Sequence, residues 1–205
     1  MRIGIFGGTF NPPHLGHRHI VEDFREKMAA AGLPLDKVLI IPTFVPPHKE
    51  TPDLASGEDR LAMCRLNFDA EVSDLEIRRG DTSYTWMTLE DLHAQYEDAE
   101  LYFLMGDDML LYLPHWKRPE KVLEEAVLVS TVRSDDCTVD TLRTFAQETY
   151  PDQYAAGRFL FFESEPLPMS STEVRDLVRA HQYVELEQRL DPAVLRYILE
   201  RELYT

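Results

Sequence analysis

Cysteine is scarce in this chain: Cys64 and Cys137 stand alone, without a C-x-x-C partner or a metal-ligand spacing. That argues against a disulfide framework or a thiolate metal site, and the expectation is two reduced thiols in a cytoplasmic protein. Long apolar runs are missing as well. Nothing approaches the roughly 20 residues of a membrane helix, and the apolar part of MRIGIFGG is too short for a signal-peptide core. No membrane partner is expected. Cations are few: 21 Lys and Arg face 37 Asp and Glu, a formal net charge of −16. A nucleic-acid partner is therefore not expected, because nothing would neutralise a long phosphate track. A small anionic ligand remains possible, since a few clustered cations can make a local positive pocket in an acidic protein. The two familiar glycine fingerprints are also absent, because neither G-x-G-x-x-G nor G-K-[ST] follows the first apolar run.

What is present suits a single domain over residues 1–205, with 44% hydrophobic and 28% charged residues. Apolar, β-branched runs at Arg2–Phe6, Lys37–Ile41, Asp74–Arg78, Leu101–Met105, Ala126–Val132 and Arg158–Phe162 predict strands. Helical patterns lie between them. One spans Leu15 to Ala31, with Ile20, Val21, Phe24 and Met28 at helical spacing and Gly32 as its C-cap. Ser56 caps a second (Leu61, Cys64, Phe68), with Asp59 at the capping-box offset. Thr85 caps a third (Leu89, Leu92, Tyr96), and Asp191-Pro192 opens the last (Val194, Leu195, Ile198). The alternation predicts an α/β fold: a Rossmann-like parallel sheet with helices on both faces and a small C-terminal helical extension over roughly residues 170–205. In such sheets ligands sit beyond the carboxyl ends of the strands. The longest irregular segment, Pro42–Gly57, has a length often associated with function.

Four segments carry candidate chemistry. GGTFNPPHLGH (7–17) follows the first strand; Gly7 and Gly8 would let a phosphate approach the backbone, and the helix beginning near Leu15 offers an anion its free N–H groups. His14 and His17, three apart, share one side of that first turn and could donate to phosphate, with a cationic form stabilised by the anion. A zinc pair or structural histidines are the competing readings; His19 is read as polar surface. PPHK (46–49) could hold Lys49 over a polyanion, although a lone lysine is commonly a solvated charge. GDD (106–108) sets Asp107 and Asp108 where a ribose hydroxyl or a metal's water could lie, or where an Asp simply caps a helix. In LPHW (113–116), Trp116 is either a stacking platform or core. MSSTEVR (169–175) starts a helix with Ser170, Ser171 and Thr172 and adds the Arg175 guanidinium, a set suited to phosphate.

GGTFNPPHLGH with SSTEVR resembles the nucleotidyltransferase superfamily of the HxGH and ST-x-x-R type. PPHK, SYT (83–85), GDD and LPHW are similar to the bacterial nicotinate-mononucleotide adenylyltransferases, in order through nearly the whole chain. The resemblance implies transfer of AMP from ATP to nicotinate mononucleotide, giving deamido-NAD and pyrophosphate. It implies that Gly7, Gly8, Thr9, Phe10, Gly106 and Asp108 bind ATP, and that His14, His17, Ser171, Thr172 and Arg175 hold its phosphates. The acceptor would lie against Thr9, Phe10, Lys49, Tyr84, Thr85, Trp116 and Lys117. His14, His17, Lys49 and Arg175 would be the catalytic set. Mg²⁺ would arrive on the ATP phosphates, with no protein metal site. Two positions depart from the family pattern: Asn11 stands where Asp is common, and Lys117 where an aromatic is common.

The alternatives within the superfamily transfer to nicotinamide mononucleotide or phosphopantetheine. A non-catalytic nucleotide sensor and a metal-dependent phosphohydrolase using His14, His17 and Asp107/Asp108 are the readings from other classes. A homo-oligomer is compatible with the composition.

Overall fold

The computed structural model describes residues 1–45, 53–132 and 137–205. In chain order the elements are β1 (Arg2–Gly8), α1 (Leu15–Ala30), β2 (Lys37–Pro42), α2 (Gly57–Asn67), β3 (Glu71–Val72), α3 (Leu75–Arg79), α4 (Thr85–Gln95), β4 (Glu100–Gly106) and α5 (Asp107–Leu111). A 3₁₀ turn at Leu113–His115 follows. Then come α6 (Pro119–Glu125), β5 (Ala126–Val132), α7 (Val139–Thr149), α8 (Pro151–Ala155), β6 (Phe159–Glu163), α9 (Ser171–Arg179), α10 (Tyr183–Glu187) and α11 (Pro192–Glu200). The strands form one six-stranded parallel sheet in the order β3-β2-β1-β4-β5-β6, flanked by helices. Strand order reverses between β1 and β4, the kind of position where such sheets take ligands. None of the described helices is long and apolar enough to cross a membrane.

The chain divides into two compact units. The first comprises Met1–Phe6, Asp23–Val38 and Tyr84–Glu165. Its strands are continuous apolar runs because both faces are covered: Leu101 to Met105 of β4 and Leu128 and Val129 of β5 are all buried. β4 is in register with β1 from Arg2↔Glu100 to Phe6↔Leu104, and with β5 from Leu101↔Ala126 to Gly106↔Thr131. Leu89 and Leu92 of α4 and Val122 and Leu123 of α6 complete this core. Phe24 and Met28 of α1 are buried as their spacing predicts. Gly32, at φ +76°, ends α1 by returning its N–H to Ala29 while Leu33 N–H returns to Met28, the left-handed helix stop that glycine adopts without strain.

The second unit comprises Gly7–Glu22, Leu39–Ser83 and Pro166–Thr205. Met63 of α2, Val174 and Val178 of α9, Leu186 of α10, and Val194, Leu195 and Ile198 of α11 form its apolar cluster. Ser56 caps α2 as read from sequence, accepting from Asp59 N–H at 3.0 Å while its hydroxyl donates to the Asp59 carboxylate at 2.6 Å. Asp191 likewise accepts from Ala193 N–H at the start of α11.

One predicted strand is wrong. Residues 75–79 are helical, and the strand lies earlier at Glu71–Val72, paired with Leu39–Ile40. Gly80 at φ +66° and the Arg78–Asp74 ion pair at 2.8 Å, one turn apart, favour a helical turn over the short apolar alternation of Leu75 and Ile77. The predicted cap of α4 also moves by one residue: Tyr84 is the N-cap, with no side-chain bond, and Thr85 is the first helical residue.

Candidate active site

The loop after β1 is held in an unusual backbone path. Phe10 has φ +48°, a left-handed value costly for a bulky residue, and the Asn11–Pro12 peptide is cis. The Phe10 ring is buried between Phe68, edge-on at 5.5 Å, and His17, edge-on at 5.2 Å. It also folds over Gly8, where a Cβ would lie 2.9 Å from the ring. The missing side chain at Gly8 makes room for the Phe10 ring.

His14 is the residue immediately before α1, and its carbonyl accepts from His17 and Arg18 N–H. The two imidazoles are brought together, with ring centroids 3.7 Å apart. His14 N–H donates to His17 Nδ1 at 3.2 Å, so in the neutral ring the proton sits on Nε2. His14 is 5% exposed, and burial lowers its pKa from 6.5 to about 4, against a smaller upward pull from the Glu173 carboxylate. In the free protein it is therefore neutral at pH 7. Gly16 has no room for a side chain, because a Cβ would lie 3.0 Å from His14 Nδ1 and 2.9 Å from the Met169 side chain.

The first turn of α1 is less available to an anion than the sequence suggested. Leu15 N–H donates to Arg189 O at 2.8 Å and Gly16 N–H to Met169 Sδ at 3.1 Å. Anion affinity then falls to the side chains and to α9. There Ser170 is the N-cap, accepting from Glu173 N–H at 3.1 Å. Ser171 Oγ donates to Pro12 O at 2.8 Å, which commits its proton to the β1–α1 loop. Arg175 Nη1 donates to Asn11 O at 2.9 Å and Nη2 to Thr172 Oγ1 at 3.3 Å, leaving the Thr172 proton for another acceptor. Arg175 Nε is buried with no hydrogen-bond partner among the described residues. His14, His17, Ser171, Thr172 and Arg175, up to 161 residues apart by their numbers, thus gather on one loop. Imidazole, hydroxyl, guanidinium and the positive end of α9 in one place suit a polyphosphate.

Asn11 is the departure that the structure explains. It is buried, its Nδ2 donates to Asp53 O at 2.9 Å, and its Oδ1 accepts from Ala55 N–H at 3.0 Å and Tyr204 Oη at 2.8 Å. A carboxylate could not make the first of these bonds, so a neutral amide fits this environment. Tyr204 and Arg60, both buried against this loop, were not singled out in the sequence. Arg60 shares a helix face with the buried Met63, Cys64 and Asn67, at offsets of three, four and seven, and that periodicity was the available signal.

The first unit holds a second cluster. β4 ends at Gly106, the extended N-cap of α5. Asp107 is buried beside Cys137, whose thiol is pushed upward by burial and by that carboxylate. Asp108 is exposed. Neither aspartate caps α5. Trp116 is half-buried, edge-on to Phe103 at 6.3 Å, and its Nε1 makes no hydrogen bond among the described residues. Arg118, at φ +54°, lies 4.4 Å over the ring of Trp86, next to Thr85. That contact ties the Trp116–Lys117 segment to the start of α4, so Tyr84, Thr85, Trp116 and Lys117 are brought to one neighbourhood. Lys49 lies outside the described residues.

The fold agrees with comparison to known proteins. The chain belongs to the cytidylyltransferase-like family, whose model matches residues 5–177. Its relatives are adenylyltransferases in particular. A protein of Shewanella sp. (strain W3-18-1) named "Probable nicotinate-nucleotide adenylyltransferase" is 34% identical, over 100% of this chain and 99% of its own. One of Aeromonas salmonicida (strain A449) with the same name is 36% identical, over 98% and 96%. Among solved structures, the Plasmodium falciparum nicotinic acid mononucleotide adenylyltransferase complexed with NaAD matches with a TM-score of 0.75 at 18% identity, over 99% and 97% of the two chains.

Proposed function

We propose that this protein transfers the adenylyl group of ATP to nicotinate mononucleotide, releasing pyrophosphate and forming deamido-NAD for NAD biosynthesis. The observation that carries the reading is the gathering of His14, His17, Thr172 and Arg175 on the loop after β1. The full-length relatives support the choice of acceptor. We read the chain as one nucleotidyltransferase domain acting in the cytoplasm.

The acceptor's 5′-phosphate is already a nucleophile and needs no general base. One of its oxygens forms a bond to the α-phosphorus of ATP while the bond from that phosphorus to the α–β bridging oxygen breaks, and pyrophosphate carries away the electron pair. Charge repulsion and misorientation are the main obstacles, so catalysis is positioning and charge neutralisation. His17 donates through Nε2, the nitrogen left protonated by the His14 amide. Arg175 is fixed by Asn11 O and presents the rest of its fork to the β- and γ-phosphates, with the Thr172 hydroxyl beside it. Gly7, Gly8 and Thr9 supply backbone to the triphosphate, and Gly106 and Asp108 take the adenosine ribose. Trp116 stacks on the pyridine ring, and amides near Thr85 and Lys117 take its carboxylate. Lys49 contacts phosphate.

The donors around the loop are imidazole, hydroxyl and guanidinium, poor ligands for a hard cation. Mg²⁺ fits this setting as an ion carried by phosphate and water oxygens. Bound there, it neutralises part of the triphosphate charge.

The test is pyrophosphate release from ATP with nicotinate mononucleotide, nicotinamide mononucleotide and phosphopantetheine offered separately. Turnover is expected to be fastest with the first. A preference for another acceptor would replace the substrate assignment, and ATP binding without turnover on any acceptor would replace the enzymatic one.

A further inference from the structure

Arg60 is the largest fully buried side chain, 1% exposed, and makes no ion pair among the described residues. All four of its hydrogen bonds among the described residues go to backbone carbonyls. Nε bonds Ala55 O at 3.1 Å, Nη1 bonds Thr9 O at 2.9 Å and Thr43 O at 2.6 Å, and Nη2 bonds Phe44 O at 3.2 Å. Those carbonyls belong to three stretches: the loop after β1, the segment leaving β2, and the residue before the Ser56 cap of α2. Burial lowers the pKa of this guanidinium from its ordinary value, yet a planar fork with five N–H groups is suited to serve several carbonyls at once. An apolar residue of similar size would fill the space without the cost of desolvating a charge.

We infer that Arg60 is a positioning residue for the acceptor: it fixes the loop carrying Thr9 and Phe10 relative to both ends of the segment from Thr43 to Ala55. Other bonds brace the same frame. Thr43 N–H donates to Gly8 O at 2.9 Å, and Ala55 N–H donates to Asn11 Oδ1 at 3.0 Å. Of the groups assigned to the ATP phosphates, His14, His17, Thr172 and Arg175 make no bond to Arg60, which meets that set only through the Thr9 carbonyl. Loss of Arg60 should therefore be felt by the acceptor more than by ATP. This inference rests on the acceptor assigned above.

Arg60→Lys retains a cation with fewer directions, and Arg60→Met removes every donor. With the Lys variant, KM for nicotinate mononucleotide should rise at least tenfold at saturating ATP, while the calorimetric Kd of α,β-methylene ATP changes less than twofold. The Met variant, where it folds, should shift further the same way. In the Lys variant, hydrogen exchange at the Thr43 and Ala55 amides should be at least tenfold faster, with the Leu195 amide of α11 unchanged. Equal losses for both nucleotides, a wild-type acceptor KM, or unchanged exchange at Thr43 and Ala55 would overturn the inference. The exchange measurement needs no turnover. If wild-type protein ignores nicotinate mononucleotide while exchange responds as stated, the substrate assignment fails and the loop-fixing role of Arg60 stands.

Discussion

Two adjacent histidines take unequal parts because their surroundings differ. His17 has its Nδ1 occupied by the His14 amide, so only Nε2 is placed to donate to a developing charge. His17→Ala should lower kcat by about 100-fold, the range found when one such donor is removed, with KM for ATP changed far less. His17→Gln, whose amide nitrogen reaches close to the Nε2 position, should recover part of that loss. Steady-state kinetics checks both, and wild-type turnover in the alanine variant would remove His17 from the chemistry. For His14 the consequence is in stability. Its folded value of about 4 against 6.5 means that the unfolded chain takes up the proton first as pH falls. The neutral buried ring is at full advantage above pH 6.5, and that advantage is lost as pH drops towards 4, on the order of 3 kcal/mol when complete. The stability difference between wild type and His14→Asn should shrink over that interval in denaturant titrations; a constant difference would contradict it.

Among the elements, what was legible in the sequence divides by whether the signal was local. The apolar runs of β1, β2, β4 and β5 and the caps at Ser56 and Asp191 depend on neighbours a few residues away, and they lie where the sequence set them. The motif residues of the loop after β1 and of α9 could be named individually, but not their division of labour. Ser171 turned inward to Pro12, and the first amides of α1 were taken by Arg189 and Met169, which only packing decides. α3 was read as a strand because five residues hold too little periodicity to separate the two. Arg60 and Asn11 were missed as braces because, the Tyr204 hydroxyl apart, their partners are backbone carbonyls and amides, which leave no trace in side-chain pattern. At this scale Trp116 gives the clearest test. Held against Phe103 and next to the Arg118–Trp86 contact, it should act as a platform whose removal, Trp116→Ala, weakens the mononucleotide three- to tenfold, the range of an aromatic stack. The affinity for α,β-methylene ATP should hold within twofold, and equal losses in calorimetry would show that the tryptophan serves packing alone.

Taken whole, the molecule is an anion that must capture two anions. A net charge of −16 repels ATP at long range, while the cations that hold it act only within a few ångströms. Salt screens the distant repulsion over about 8–10 Å near physiological ionic strength. Association of α,β-methylene ATP should therefore quicken, roughly twofold, as ionic strength rises from 10 to 100 mM (both approximate). Stopped-flow measurement would show it, and a rate falling with salt would mean that the local cations govern approach as well as capture.

The pairing of β1 with β4 has a consequence during synthesis. Arg2 meets Glu100, so the strand made first lies in the interior of the sheet and waits for a neighbour about a hundred residues away. Until the ribosome has released that stretch, β1 presents one flank of bare amides and carbonyls, an invitation to pair with the wrong chain. Nascent chains stalled before residue 100 should thus depend on chaperones in a way that the finished protein does not.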